Sequence, residues 1–319
     1  MDPIKLALLT DRPYWAYDRI ARGLAPWLDK MGFVSWIGYC TAHWLDEALA
    51  MGRDADVIFL FGYPIYTKHG FFKDQADRLM VGVWDSAYLE DERTCERLSL
   101  VRATVCFNRA IYAVARARGL RNAVLVTPPV GVDPVTFIPS IGKSRDGKIR
   151  LGFVGDLDRP NKRLDLITAL MGKVPPCVEF VFTDQPGKKD QRLLTDASLV
   201  RYYQVLDCLL SVSDYEGGPL PPIEAAACGV PCIATPVGIL PEFVEPGVNG
   251  LLINGNLHEL SSAVTRLLYE EDLLARMKRA ARPRALEWRW EVVAGAYAGA
   301  ITKAFQESRP CVELSAQSV

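Results

Sequence analysis

The sequence predicts an α/β fold of two doubly wound domains with parallel sheets. Three observations carry this expectation. Apolar runs of strand length alternate with stretches of helical periodicity along most of the chain, the pattern of a parallel sheet with crossover helices. The chain has 319 residues, enough for two domains of ordinary size. A polar run from Ser140 to Gly147 interrupts the alternation near the middle and reads as a linker. The domains are therefore expected at 1–139 and 148–291, joined by 140–147 and followed by a last helix over 292–307.

Composition narrows the function. Half of the residues are hydrophobic and the net charge is −1, so no basic excess points to a nucleic-acid partner. The apolar run Leu6 to Thr10 is too short for a leader peptide and reads as a first strand. No apolar run approaches the ~20 residues of a spanning helix. The eight cysteines (40, 95, 106, 177, 208, 228, 232 and 311) mostly lie inside apolar segments, without a C-x-x-C pair. They read as reduced core residues of a cytoplasmic protein. His43, His69 and His258 are isolated, so no metal site is expected.

In order, Ile4 to Leu9 reads as a buried strand. A loop with Asp11, Tyr14, Trp15 and Tyr17 follows it, and then a helix over about 18–30 with Ile20, Leu24, Trp27 and Leu28 on one face. Pro26 inside that helix predicts a kink. The loop aromatics suit stacking on a flat sugar face or packing in the core. Further strands are expected at Phe33–Ile37, Val57–Phe61, Met80–Val83, Thr104–Phe107 and Ala123–Val126, with trimmed helices or loops around 40–80. Asn108 to Arg118 reads as a helix closed by Gly119. In the second half, Ile149–Val154 and Val178–Thr183 read as strands, with a helix after Lys162. Leu260, Val264, Leu267 and Leu268 mark an amphipathic helix near the end, capped by Asn256.

The stretch from Ser211 to Ile253 is the densest in chemistry. It runs strand, Gly-Gly-Pro loop, helix, strand, a βαβ unit. Glu216 sits just past the carboxyl end of the strand, where open parallel sheets bind ligands. Gly217 and Gly218 let the backbone approach a ligand, and Pro219 and Leu220 lead into a helix whose first turn favours an anion. Glu224 lies about one turn into that helix, and a carboxylate can accept from both hydroxyls of a diol. An anion site between two diol acceptors fits a nucleoside diphosphate sugar.

The segment EGGPLPPIEAAACGVPCIATPVGILPE resembles the E-x7-E signature of the retaining glycosyltransferases of group 1, the large family-four class. Gly218 stands for an aromatic residue and Pro219 for a glycine of the usual pattern. The resemblance implies the GT-B fold, two Rossmann-like doubly wound domains facing a central cleft, with the last helix crossing back onto the first domain. Pro128 to Pro139 is similar to the family's P-N-G-V-D-x-x-x-F-x-P, and Trp290, Glu291, Val293, Ala294 and Tyr297 to its closing helix. The resemblance covers Pro129 to Phe305, and the first domain only by layout.

By resemblance, Glu216 contacts the hydroxyls of the donor sugar and Glu224 the donor ribose. Lys162 matches the lysine that binds the donor diphosphate, and Glu216 with Lys162 form the catalytic pair. Asp156 occupies the family's arginine position, and Arg159 is the candidate to replace that guanidinium. Trp84 stands where the family has a cleft histidine, beside Asp85. Asp11, Tyr14, Trp15, Trp84 and Asp85 are the acceptor-side candidates. The implied activity moves a sugar, with retention and without a metal or other cofactor, from a nucleoside diphosphate sugar to a sugar, lipid-linked or small-molecule hydroxyl. Two other classes stay open: a nucleotide-sugar-binding protein that has lost catalysis, and a GT-B epimerase, which needs paired acid–base groups on the sugar. Arg109, Arg116, Arg118 and Arg121 surround one helix and admit peripheral contact with the inner membrane face, or a solvated face. The base, sugar, acceptor and oligomeric state are not legible.

Overall fold

A computed structural model describes residues 2–69, 72–140, 146–183 and 195–306. Most of the linker (141–145), the polar stretch 184–194 and the chain's end with Cys311 lie outside the described residues.

The first half alternates β1 (Ile4–Thr10), α1 (Ala16–Lys30), β2 (Phe33–Tyr39), α2 (Leu45–Asp54), β3 (Val57–Leu60) and α3 (Tyr63–His69). It continues through β4 (Leu79–Val83), α4 (Glu92–Leu100), β5 (Ala103–Cys106), α5 (Arg109–Ala117) and β6 (Ala123–Leu125). The six strands form one parallel sheet in the order β2-β1-β3-β4-β5-β6. The second half runs β7 (Ile149–Phe153), α6 (Leu164–Met171), β8 (Val178–Phe182), α7 (Asp196–Val205), β9 (Cys208–Ser211) and α8 (Leu220–Ala227). Then come β10 (Cys232–Ala234), α9 (Leu240–Phe243), β11 (Gly250–Leu252), α10 (Leu257–Tyr269), α11 (Leu273–Leu286) and α12 (Trp290–Gln306). Its five strands form a second parallel sheet, β11-β10-β9-β7-β8.

These orders position the site. In each sheet the chain leaves its first strand to one side and returns on the other. The reversal falls between β1 and β3 in the first sheet and between β7 and β9 in the second. Loops after those strands open a crevice at the carboxyl ends, the usual ligand position of a doubly wound sheet. The two switch points belong to the loops at 11–15 and 61–62 on one side, and at 154–163 and 212–219 on the other.

The core explains why the halves stay together. One apolar cluster fills the outer face of the first sheet, including Leu9, Leu60 and Phe72, and another the outer face of the second, including Phe153, Ile167 and Leu260. A third is continuous from Leu6, Phe59 and Trp84 through α12 to Tyr203 and Ile223. The last helix packs on elements of the first sheet's half. Tyr297 is fully buried, its ring 5.3 Å from that of Phe59, and its hydroxyl donates to the Pro129 carbonyl at 2.8 Å. Trp290 lies so close to α1 that a Cβ on Gly23 would fall 2.3 Å from its ring.

Several boundaries differ from expectation. Helix α1 begins two residues early, at Ala16, and is continuous through Pro26. Helix α2 has ten residues where a trimmed element was expected, because Ala48 and Gly52 pack a helical face under the sheet. Helix α12 starts at Trp290, inside the expected second domain, after Val132 and Arg289 pair as a bridge. Burial pushes the thiols of Cys40, Cys106, Cys228 and Cys232 up to about 12, as expected of core residues. Among the described residues no helix is long and apolar enough to cross a membrane.

Candidate functional site

A cleft of about 1160 Å³ opens between the two sheets' switch points. The loop after β7 supplies one wall. Arg163 adopts a left-handed backbone (φ 55°), which turns the chain from the short turn Pro160–Lys162 into α6. Its guanidinium holds Asp214 at 2.8 Å and Asp165 at 3.1 Å. The Asp214 amide donates to the Asn161 carbonyl at 2.9 Å. The loops after β7 and β9 are thereby joined, and Lys162 and Glu216 face each other as an ion pair. Ser213 donates to the same Glu216 oxygen at 3.0 Å.

Helix α8 rises from the second loop with Pro221 and Pro222 in its first turn, where a missing N–H costs little. Pro219 and Leu220 bring that turn to the cleft. Glu224, one turn deeper, lines the cleft but is only 2% exposed. Both of its oxygens are engaged. Oε1 accepts from Arg19 of α1 at 2.6 Å, and Oε2 accepts from the Tyr203 hydroxyl at 2.9 Å. Burial raises the Glu224 pKa, and the Arg19 charge works against that rise. Burial also holds the Tyr203 phenol well above its ordinary value, so it remains a donor.

The predicted residues divide. Tyr14, Trp15, Arg159, Lys162, Glu216, Gly218, Pro219, Leu220 and Glu224 line the cleft. Trp84 and Asp85 do not. Trp84 is buried, its Nε1–H donates to the Phe61 carbonyl at 2.6 Å, and its ring stacks on Phe107 at 3.8 Å. It supports the loop from below. A Cβ on Gly217 would fall 2.8 Å from Trp84 Cβ, and one on Gly218 would fall 2.6 Å from Trp84 Cζ3. Both glycines are therefore required by packing against the first domain, and of the two only Gly218 lines the cleft. Asp85 caps the short turn Ser86–Leu89, accepting from the Ala87 amide at 2.9 Å. Asp11 also sits off the cleft. Its Oδ1 is buried and has no hydrogen-bond partner among the described residues, and burial raises its pKa.

The loop aromatics separate in the same way. Tyr17 packs inward, 5.8 Å from the Trp84 ring. Tyr14 stays 67% exposed with a left-handed backbone (φ 64°), its amide tied to buried Asp18 at 2.7 Å. The Trp15 ring carries the Arg12 guanidinium at 3.3 Å and that of Arg159, from the other domain, at 5.4 Å. Arg159 also pairs with Asp156 at 3.4 Å, so the guanidinium offsets that carboxylate at the cleft wall.

Sequence reasoning missed Arg19, gave Tyr203 no role and placed Trp290, which also lines the cleft, only in the closing helix. Arg19 stands 205 residues from its partner, with no motif around it. In the arginine group around α5, the Arg109 amide donates to Glu242 of α9 at 2.6 Å, and Arg116 is spent on the Leu120 and Arg121 carbonyls. Among the described residues, no group of three or more His, Cys, Asp or Glu is placed to hold a metal.

Comparison with known proteins agrees with this fold. Residues 188–284 match the family described as glycosyl transferases group 1. The D-inositol 3-phosphate glycosyltransferase of Corynebacterium jeikeium is 31% identical over 150 residues, covering 47% of this chain and 32% of that protein. The enzyme of the same name from Thermobispora bispora is 30% identical over 239 residues, covering 70% of this chain and 54% of that protein. The chain thus spans about a third to a half of the length of these relatives. The crystal structure of Anabaena Alr3699/HepE in complex with UDP and glucose superposes with a TM-score of 0.73 at 15% identity, covering 94% of this chain and 100% of that one. The fold is GT-B, and the sequence resemblance to the group 1 glycosyltransferases is borne out.

Proposed function

We propose, from a group 1 glycosyltransferase segment set in a GT-B fold, that this chain moves a sugar from a nucleoside diphosphate sugar to an acceptor hydroxyl, with retention at the anomeric carbon. The observation that carries the reading is the Lys162–Glu216 ion pair beside the first turn of α8, at the switch point of the second sheet.

The chemistry is a problem of charge. As the bond between the anomeric carbon and the diphosphate oxygen breaks, the sugar becomes oxocarbenium-like and the diphosphate gains negative charge. Lys162, Arg159 and the backbone N–H groups of Gly218 and Leu220, around the prolines that open α8, meet that charge, each such preorganised donor contributing up to several kcal/mol. These groups supply the neutralisation without a metal. Glu216 orients the sugar through its hydroxyls, and its pairing with Lys162 keeps both groups in place before the donor arrives. Glu224 holds the ribose. Tyr14 and Trp15, on the opposite wall, offer flat faces to the acceptor. Closure of the two domains excludes water and limits donor hydrolysis.

The test is transfer from UDP-glucose and related donors to a panel of hydroxyl acceptors that includes D-inositol 3-phosphate, for which the relatives are named. Glu216→Ala is expected to lose about 100-fold or more in transfer with its fold intact. Wild-type turnover in that variant removes Glu216 from the mechanism. Donor binding without transfer to any acceptor selects the binding-protein reading instead.

A further inference from the structure

Glu224 is held by two groups from outside its own helix, and one of them comes from the other domain. Tyr203 of α7 donates to Oε2, and Arg19 of α1 donates to Oε1 while also standing 3.0 Å from Asp196. The Arg19 side chain is one-third exposed and lines the same cleft. We infer that Arg19 is a positioning residue that arms the ribose site: it keeps the Glu224 carboxylate charged and oriented, so that nucleotide recognition by the second domain depends on the first domain being in place. The inference rests on the reading of Glu224 as the ribose acceptor.

A carboxylate almost fully removed from water is stable as an anion only if it is paired and hydrogen-bonded, and otherwise it takes up a proton. A protonated carboxyl turns one acceptor into a donor and loses its match to two hydroxyls. An ionised carboxylate has about four lone-pair sites, so Arg19 and Tyr203 leave about two for a vicinal diol. The other groups nearby cannot replace Arg19. Asp196 is a like charge, and Cys228, which caps the end of the same helix, is a buried thiol. Arg282 of α11, which packs along α8, spends its guanidinium on the carbonyls of Ala227, Phe137 and Pro134. Cys208 and Cys232 of the adjoining strands are uncharged. Arg19 is thus the cation that contacts Glu224 among the described residues, and α1 carries it.

The experiment measures binding of UDP and GDP by calorimetry from about pH 7 to about pH 9, above the range in which a terminal phosphate titrates. The wild type is expected to bind with a flat profile. Arg19→Gln should bind about tenfold more weakly near pH 7 and recover as pH rises, because a fully buried carboxyl left without its cation can titrate about one unit above neutrality, where only about a tenth of it is ionised at pH 7. Arg19→Met, which keeps the apolar stem, should behave alike if Arg19→Gln fails to fold. Arg19→Lys should restore the flat profile. A neutral variant whose profile runs parallel to the wild type, offset or not, overturns the inference while leaving the donor reading intact. If the wild type binds neither nucleotide, the donor reading fails and the inference falls with it.

Discussion

The loop that follows β9 and the loop that follows β1 face each other across one cleft, yet they are built on different principles. The first, Ser213 to Leu220, gathers its carboxylate, its glycines and its helix start within eight residues; Ser213 fixes Glu216 from within the loop, and Lys162 reaches it from the neighbouring loop of the same domain. The second, Asp11 to Trp15, is long-range. Tyr14 is exposed, Trp15 is covered by arginines from both domains, and Asp11 keeps a buried oxygen without a partner. A site that recognises a charged diphosphate needs several donors at fixed spacing, and spacing within one βα turn supplies them. A surface that meets a hydroxyl acceptor needs shape and flat apolar faces, and many sequences provide those.

If that contrast is right, the largest effect should come from the short-range side. Lys162→Ala removes the cation of the pair and leaves Glu216 without it. Nucleoside diphosphate affinity is expected to fall by about 100-fold, a loss of roughly 2.7 kcal/mol, as for a charge-assisted contact in a closed cleft. Calorimetry with UDP checks this, and an unchanged dissociation constant would refute the diphosphate role.

Gly218→Ala comes next and tests the seam between the two regions. The added methyl would fall 2.6 Å from Trp84 Cζ3, and that ring cannot yield because Phe107 stacks behind it at 3.8 Å. Overpacking of this kind costs about 2 kcal/mol, which thermal or chemical denaturation would show. If the variant keeps wild-type stability, the loop can lift off Trp84 and the two domains are less tightly seated than their packing indicates.

The same contrast explains what could be read from the chain. Both sheets, the closing helix and the placement of Glu216 and Lys162 just past strands of the second sheet were legible, because strand alternation and βα-turn chemistry are local in sequence. Trp84 was misplaced for a physical reason. An aromatic residue at the end of a strand suits a pocket wall or a core equally well, and the choice was made by Phe61, Phe107 and the Gly217–Gly218 backbone, all distant in sequence. Arg19 was invisible because an arginine in a first helical turn reads as solvated surface until Glu224, from the other domain, is folded against it.

Trp15→Ala probes the long-range side, with a smaller expected effect. Loss of one stacking face should raise the acceptor KM about tenfold and leave the donor dissociation constant unchanged. If donor binding weakens as well, Trp15 serves the cleft by seating Arg159, which lies 5.4 Å from its ring, and the aromatic belongs to the donor half.

Asp11 gives the smallest effect and the sharpest contrast. Glu216 and Glu224 are carboxylates with partners, whereas Asp11 Oδ1 is buried without one, and burial holds the Asp11 pKa above its ordinary value. The sign follows from linkage. A carboxyl whose pKa is raised on folding binds its proton more tightly in the folded state, so its contribution to stability is present below the unfolded pKa and is lost as pH rises through the folded value. Asp11→Asn keeps the shape and cannot ionise. It should therefore gain stability relative to the wild type as pH rises from about 4 towards about 7, by less than about 1 kcal/mol because the group is partly exposed and backbone hydrogen bonds already favour its charge. Denaturation midpoints across that range measure it. A variant that instead loses stability at neutral pH would show that the Asp11 carboxylate is stabilised in the folded protein, and the first-domain loop would then carry a third partnered acid.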